Sequence, residues 1–151
     1  FKEHEIWIDS NGKEGERGVV VNADLRLVDL AGRNLSGIII KDSNLSGANL
    51  SGALLVMANM EGVNLSKANL EKAWIVGTNL HGANLSQARI TGAIFKSTEM
   101  IDKKGKKTGQ TQKPNLDKAI LTGIDVSAIN LSECSTVETV FDGKESVATT
   151  T

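Results

Sequence analysis

Several absences narrow what this chain can be. Cys134 is the single cysteine, so no intrachain disulfide can form, and a thiol-tolerant compartment such as the cytoplasm is the expected setting. Histidine is confined to His4 and His81, with no cysteine or second histidine at ligand spacing from either. No metal site is therefore expected, and Cys134, with no local histidine to act as its base, is read as a small inward apolar residue rather than a nucleophile. Tyrosine is missing, and three Phe and two Trp are the whole aromatic complement, so the core must be built from Leu, Ile, Val and Ala in many small, similar layers. No apolar run approaches the ~18 residues of a membrane span. Residues 1–10 lack the basic-then-apolar order of a signal peptide, and a start at Phe1 rather than Met fits a processed chain or a piece of a longer one.

A formal charge of -1 over 151 residues offers no whole-chain attraction to nucleic acid or to an anionic membrane. Gly105-Lys106-Lys107-Thr108-Gly109 has the composition of a phosphate loop but not its spacing, and the same holds for Gly12, Gly15 and Gly18. No catalytic residue, cofactor-binding residue or small-molecule substrate site is expected, and the chain is not read as an enzyme.

What is abundant is a five-residue phrase. From Gly18 to Asp102 the chain divides into seventeen such units, and the third position of every unit is apolar, from Val20 through Leu45, Leu65 and Leu85 to Met100. Nine first positions are Ala, eight second positions are Asn and eight fifth positions are Gly. An α-helix cannot use this period, because five residues advance roughly 500° and successive Leu drift by about 140°. A straight strand cannot either, since an odd period alternates faces. The chain must bend once per unit, with Ala-x-Leu extended and the Ser-Gly pair turning. Four bends close a coil of about 20 residues, and coils stack ~4.8 Å apart as neighbouring strands do.

Phrases such as Ala48-Asn49-Leu50-Ser51-Gly52 resemble the A(D/N)LXX repeat of the pentapeptide-repeat family, over most of residues 18–138. The resemblance implies an all-β fold, a right-handed quadrilateral parallel β-helix of about five to six coils, with first and third positions inward. Residues 4–17, with Trp7, look like a leader that precedes such repeats in some bacterial members. Residues 1–17 are read as an N-terminal cap, helix or strand, covering the first coil. Residues 103–113, containing Lys103, Lys104, Lys106 and Lys107, are read as a mobile loop, because their composition cannot bury a face. The β-helix resumes over 114–138, and 139–151 form a tail, frayed from Val147.

Units twenty residues apart share a side. Three sides carry mostly Asn and Ser, whose Asn side chains are expected to bond along their ladder or to turn backbone. The fourth carries Leu54, Val56, Trp74, Val76 and Ile94. Replacing one five-residue side by eleven loop residues inserts six and adds Ile120 to this stripe. Such a patch marks a protein partner or a self-association surface with Trp74 at its centre. Alternatively, the cap, the Lys-rich loop or the tail folds over it. Arg33, in an inward first position, is expected to snorkel outward.

The leading functional expectation is thus a non-catalytic scaffold or interaction module that binds a protein or another copy of itself. The alternative follows from the resemblance alone, since some pentapeptide-repeat proteins mimic duplex DNA and act on type II topoisomerases. Mimicry needs an acidic rod, and residues 23–102 hold seven acids against seven bases. The four lysines of residues 103–107 lack the interleaved aromatics of a nucleic-acid surface.

Overall fold

The computed structural model describes residues 1–142 and 144–145 of the chain. The frayed end expected from Val147 lies outside the described residues. Each unit is built the same way. The second residue is extended and pairs in parallel with its equivalents in the coils before and after, as in Asn44 with Asp24 and Asn64. Its side chain closes a local turn: Asn44 Oδ1 accepts from Ser46 N–H at 3.0 Å, and Asn49, Asn64, Asn69 and Asn84 do the same two residues on. Ladder bonds also occur, with Asn79 Nδ2 donating to Asn59 Oδ1 at 3.1 Å and Asn49 Nδ2 to Asp29 Oδ1 at 3.0 Å. Both expected roles of Asn are thereby used.

The bend falls at the fifth residue. Every fifth position from Asn22 to Gly92 has positive φ, between 49° and 71°. At most corners the third-position carbonyl accepts from the next first-position N–H, as Ala48 N–H to Leu45 O at 3.0 Å, which makes them turns with the left-handed residue third of four, as in type II; after β1 (Val19–Val21) Ala23 N–H donates instead to Ser43 Oγ. That conformation explains the glycines, because most side chains resist it.

Four ladders result. The first runs Val19, Ile39, Asn59, Asn79, Asn115, Ser135, and the second Asp24, Asn44, Asn64, Asn84, Ile120, Val140. The third runs Asp29, Asn49, Asn69, Arg89, and the fourth Asn34, Leu54, Trp74, Ile94. Continuous strands are short: β1 (Val19–Val21) and β2 (Ile39–Lys41) on the first ladder, β3 (Trp74–Val76) and β4 (Ile94–Lys96) on the fourth. First and third positions fill the axis, and Ala48, Leu50, Ala53, Leu65, Ala68 and Leu70 are fully buried. Polar residues in this layer are satisfied; Thr78 Oγ1 donates to Leu55 O at 2.7 Å. Cys134 is buried there as well, and burial pushes its thiol up to about 11, consistent with an inert packing residue.

The cap is a helix, α1 (Lys2–Asp9), lying over the start of the fourth ladder. Glu5 pairs with Arg33 at 3.6 Å, so Arg33 leaves the axis to tie down the cap. Arg17 Nε donates to Gly37 O at 2.6 Å. His4 is buried, stacks on Trp7 with ring centroids 5.7 Å apart, and accepts Gly18 N–H on Nδ1 at 3.1 Å.

Two expectations need correction. Residues 103–113 are not a loop but part of an antiparallel hairpin, β5 (Thr98–Ile101) and β6 (Lys107–Gln112), with Thr98 opposite Gln112 and Ile101 opposite Lys107. The hairpin begins at Thr98, so Met100 leaves the repeat. Thr98, Ile101, Thr108 and Thr111 suit a pleated strand, and a hairpin satisfies its backbone without a buried face. Its turn is closed by Asp102, whose Oδ1 accepts from Lys104 and Lys106 N–H, while Gly105 supplies φ of 78°. Asn79 pairs with Asn115, 36 residues on rather than 20, so sixteen residues are inserted, not six. Ile120 therefore follows Asn84 on the second ladder and does not belong to the apolar stripe.

Beyond the hairpin the pairing continues through Ser135 to Val140, whose N–H donates to Ala119 O at 2.9 Å. The strands β7 (Val140–Phe141) and β8 (Lys144–Glu145) form a short antiparallel pair at this end.

Candidate interaction face

The fourth ladder is held by backbone bonds from both neighbours of each strand. Trp74 N–H donates to Ala53 O at 2.9 Å, Leu55 N–H to Trp74 O at 2.9 Å, and Ile94 N–H to Ala73 O at 2.8 Å. Because Ile75 and Phe95 take the inward third positions, the flanking residues of β3 and β4 must point out. Trp74 is 48% exposed and Ile94 38%, while Leu54, Val56 and Val76 are half-buried. These five stand in register, and the exposure of Trp74 and Ile94 means that neither α1 nor the hairpin covers them.

Met57 was not anticipated. It occupies a corner between the fourth and first ladders, with φ of 57° and 39% exposure, and widens the apolar face. The available signal was a methionine at a fifth position where Gly is usual. A Cβ on Gly77 would meet Met57 Sδ and Thr98 Cγ2, each at 2.9 Å, so this corner also seats the hairpin base.

Asn34 and Ser36 continue the ladder beneath α1, and the 3₁₀ turn Leu131–Glu133 closes the other end. Glu133 Oε2 accepts from Ser97 N–H at 3.2 Å and from the Ser97 hydroxyl. These bonds hold its carboxyl below the usual range, with Lys96 and Lys113 adding to the effect. Lys103, Lys104, Lys106 and Lys107 lie on the exposed hairpin, and Lys107 pairs with Glu99 at 2.8 Å. Among the described residues no group of His, Cys, Asp and Glu could hold a metal ion, and no helix is long and apolar enough to cross a membrane.

The family model for pentapeptide repeats, in eight copies, matches residues 43–82 and 75–96. No curated protein matches the sequence. Among solved structures, alr5209, a pentapeptide-repeat protein from Nostoc PCC 7120, is 22% identical with a TM-score of 0.61, covering 89% of this chain and 92% of its own. The pentapeptide-repeat protein Rfr23 from Cyanothece 51142 is 25% identical with a TM-score of 0.44, over 83% and 84% of the two chains. QnrB1, a plasmid-mediated fluoroquinolone resistance protein, is 17% identical with a TM-score of 0.47, over 82% of this chain and 65% of that one.

Proposed function

We propose that this chain, which belongs to the pentapeptide-repeat family, is a non-catalytic scaffold whose fourth-ladder face binds protein, either another copy of itself or a foreign partner. We read the coil as a right-handed quadrilateral of about five to six turns, working in a thiol-tolerant compartment such as the bacterial cytoplasm. The observation that carries the reading is Trp74, half-exposed at the centre of an apolar face where the preceding and following units of the other ladders place Asn59, Asn64, Asn69 and Asn79. Aromatic anchors of this kind dominate protein interfaces, and truncating one commonly costs 2 kcal/mol or more, roughly 30-fold in affinity.

The DNA-mimic reading is not adopted, because the repeat block has no acidic excess to imitate a duplex.

The test is Trp74→Glu, which places a charge at the centre of the face without touching the buried layer. Light scattering and affinity capture are expected to show an association in the parent protein that the variant loses, with the circular dichroism spectrum unchanged. Identical mass and identical captured proteins in the two would overturn the reading. A gyrase supercoiling assay that responds to the protein would restore mimicry in its place.

A further inference from the structure

Resting on that reading, we propose that the occupant of the fourth-ladder face is a second copy of this chain, docked antiparallel, so that the basic hairpin of each copy lies beside the acidic cap of the other. The face runs between two oppositely charged features. At its N-terminal end stands the cap, fixed to the same ladder by the Glu5–Arg33 and Arg17–Gly37 contacts. At the corner beside its last strands the β5–β6 hairpin leaves directly after β4, its base against Gly77. Residues 1–17 hold three bases against five acids, and residues 96–113 hold six lysines against two acids.

These charges are not consumed at home. Glu99 is taken by Lys107 and Asp102 by the turn backbone, which leaves Lys103, Lys104 and Lys106 without an ion pair among the described residues. In the cap only Glu5 is paired, and Glu3, Asp9, Glu14 and Glu16 are without an ion pair among the described residues. The corners that hold the cap and the hairpin base, Gly37 and Gly77, are two strand spacings apart, about 10 Å at ~4.8 Å per strand. That is about one Debye length at 0.1 M salt, so the attraction between the two within one rod is substantially screened.

Geometry and charge then select the arrangement. The four strands span about 20 Å by about 10 Å, roughly 200 Å², well below the ~800 Å² per partner of a stable interface. Trp74 and its neighbours therefore need flanking contacts. Parallel docking would set hairpin against hairpin and cap against cap, and like charges opposed across an interface repel. A twofold axis between the Leu54 and Trp74 strands removes this conflict. It packs Trp74 of each copy on Leu54 of the other, and brings each hairpin to the other copy's cap in a closed, isologous pair.

Sedimentation equilibrium of the full chain tests this. A dimer is expected, weakening at least tenfold between about 50 and about 500 mM salt, and lost in Trp74→Glu. The variants Lys103→Glu/Lys104→Glu/Lys106→Glu and Glu3→Lys/Asp9→Lys/Glu14→Lys, all at exposed positions, should each dimerise at least tenfold more weakly, while an equimolar mixture regains a dimer. A protein monomeric at every concentration would overturn the second copy as occupant, and would leave the interaction face itself to the capture experiment. A dimer broken by Trp74→Glu but indifferent to both charge reversals would overturn the antiparallel arrangement alone.

Discussion

The fifth residue of each unit adopts a left-handed backbone, and what surrounds it sets the consequence of adding a side chain. Gly52 has φ of 66° and open space around its missing Cβ, whereas Gly77 has φ of 61° with Met57, Thr98 and Gln112 crowding the same point. Gly52→Ala should lower stability by about 1 kcal/mol, the left-handed penalty alone. Gly77→Ala should lose about 1 kcal/mol more through overpacking. Urea unfolding of the two variants checks the difference, and equal losses would mean the hairpin base is free to move aside. Sequence made these corners legible as Gly-rich, but not that Leu27, Met57, Lys67 and Gln87 adopt the same conformation. In those units packing of the inward Leu overrides local preference.

His4 belongs to the same scale. Burial holds its pKa below the usual 6.5, more strongly than the neighbouring Ser36 backbone and Glu5 raise it, while Arg17 and the N-terminus lower it further. Its Nδ1 accepts from Gly18, so protonation there removes the acceptor. With the folded value depressed, the unfolded chain binds the proton first as pH falls. The contribution is complete above about pH 6.5 and is lost as pH falls towards the folded value. Unfolding at about pH 8 and about pH 5.5 should show a decline that is smaller in His4→Gln. The sequence placed His4 in a cap but gave no sign of its burial, which depends on Gly18 of the first coil and Trp7 of the cap closing on it.

At the scale of elements, the hairpin is an insertion rather than a support. The ladder resumes at Asn115 by bonding Thr78 O at 2.9 Å, and Leu80 N–H reaches Asn115 O at 2.8 Å, with no hairpin residue between. Removing residues 98–113 joins Ser97 to Pro114 and restores the period. The shortened chain is expected to fold with an unchanged β signal and a melting temperature within several degrees of the parent, since surface insertions weigh little on stability. Loss of the cooperative transition would show instead that the hairpin holds the two blocks together. Its composition reads as unable to form a core, which is correct, but two strands bonded to each other need no core of their own to be ordered on a supporting rod.

Across the whole molecule, each coil meets only its neighbours, so position along the axis governs what a core residue contributes. Leu65 is fully buried between coils, whereas Leu25 in the first coil is only partly covered. Leu65→Ala should cost about 2–5 kcal/mol and Leu25→Ala distinctly less, measurable as separate shifts in the urea midpoint. Equal effects would show that the cap seals the first coil more fully than the burial of Leu25 indicates.

The sequence by itself determined the five-residue period, the inward Ala and Leu, the Gly-rich corners and the apolar line from Leu54 to Ile94, because these follow from local sterics and from which residues must leave water. It also determined the phase after the insertion, since a frame shift of one residue is visible in Pro114-Asn115-Leu116. Insertions of six and of sixteen leave that same remainder after division by five. Only the tertiary pairing of Asn115 with Asn79 decided between them, and so moved Ile120 to the second ladder. The exposure of Trp74 was likewise decided in three dimensions, because it depends on where the cap and hairpin come to rest relative to the face.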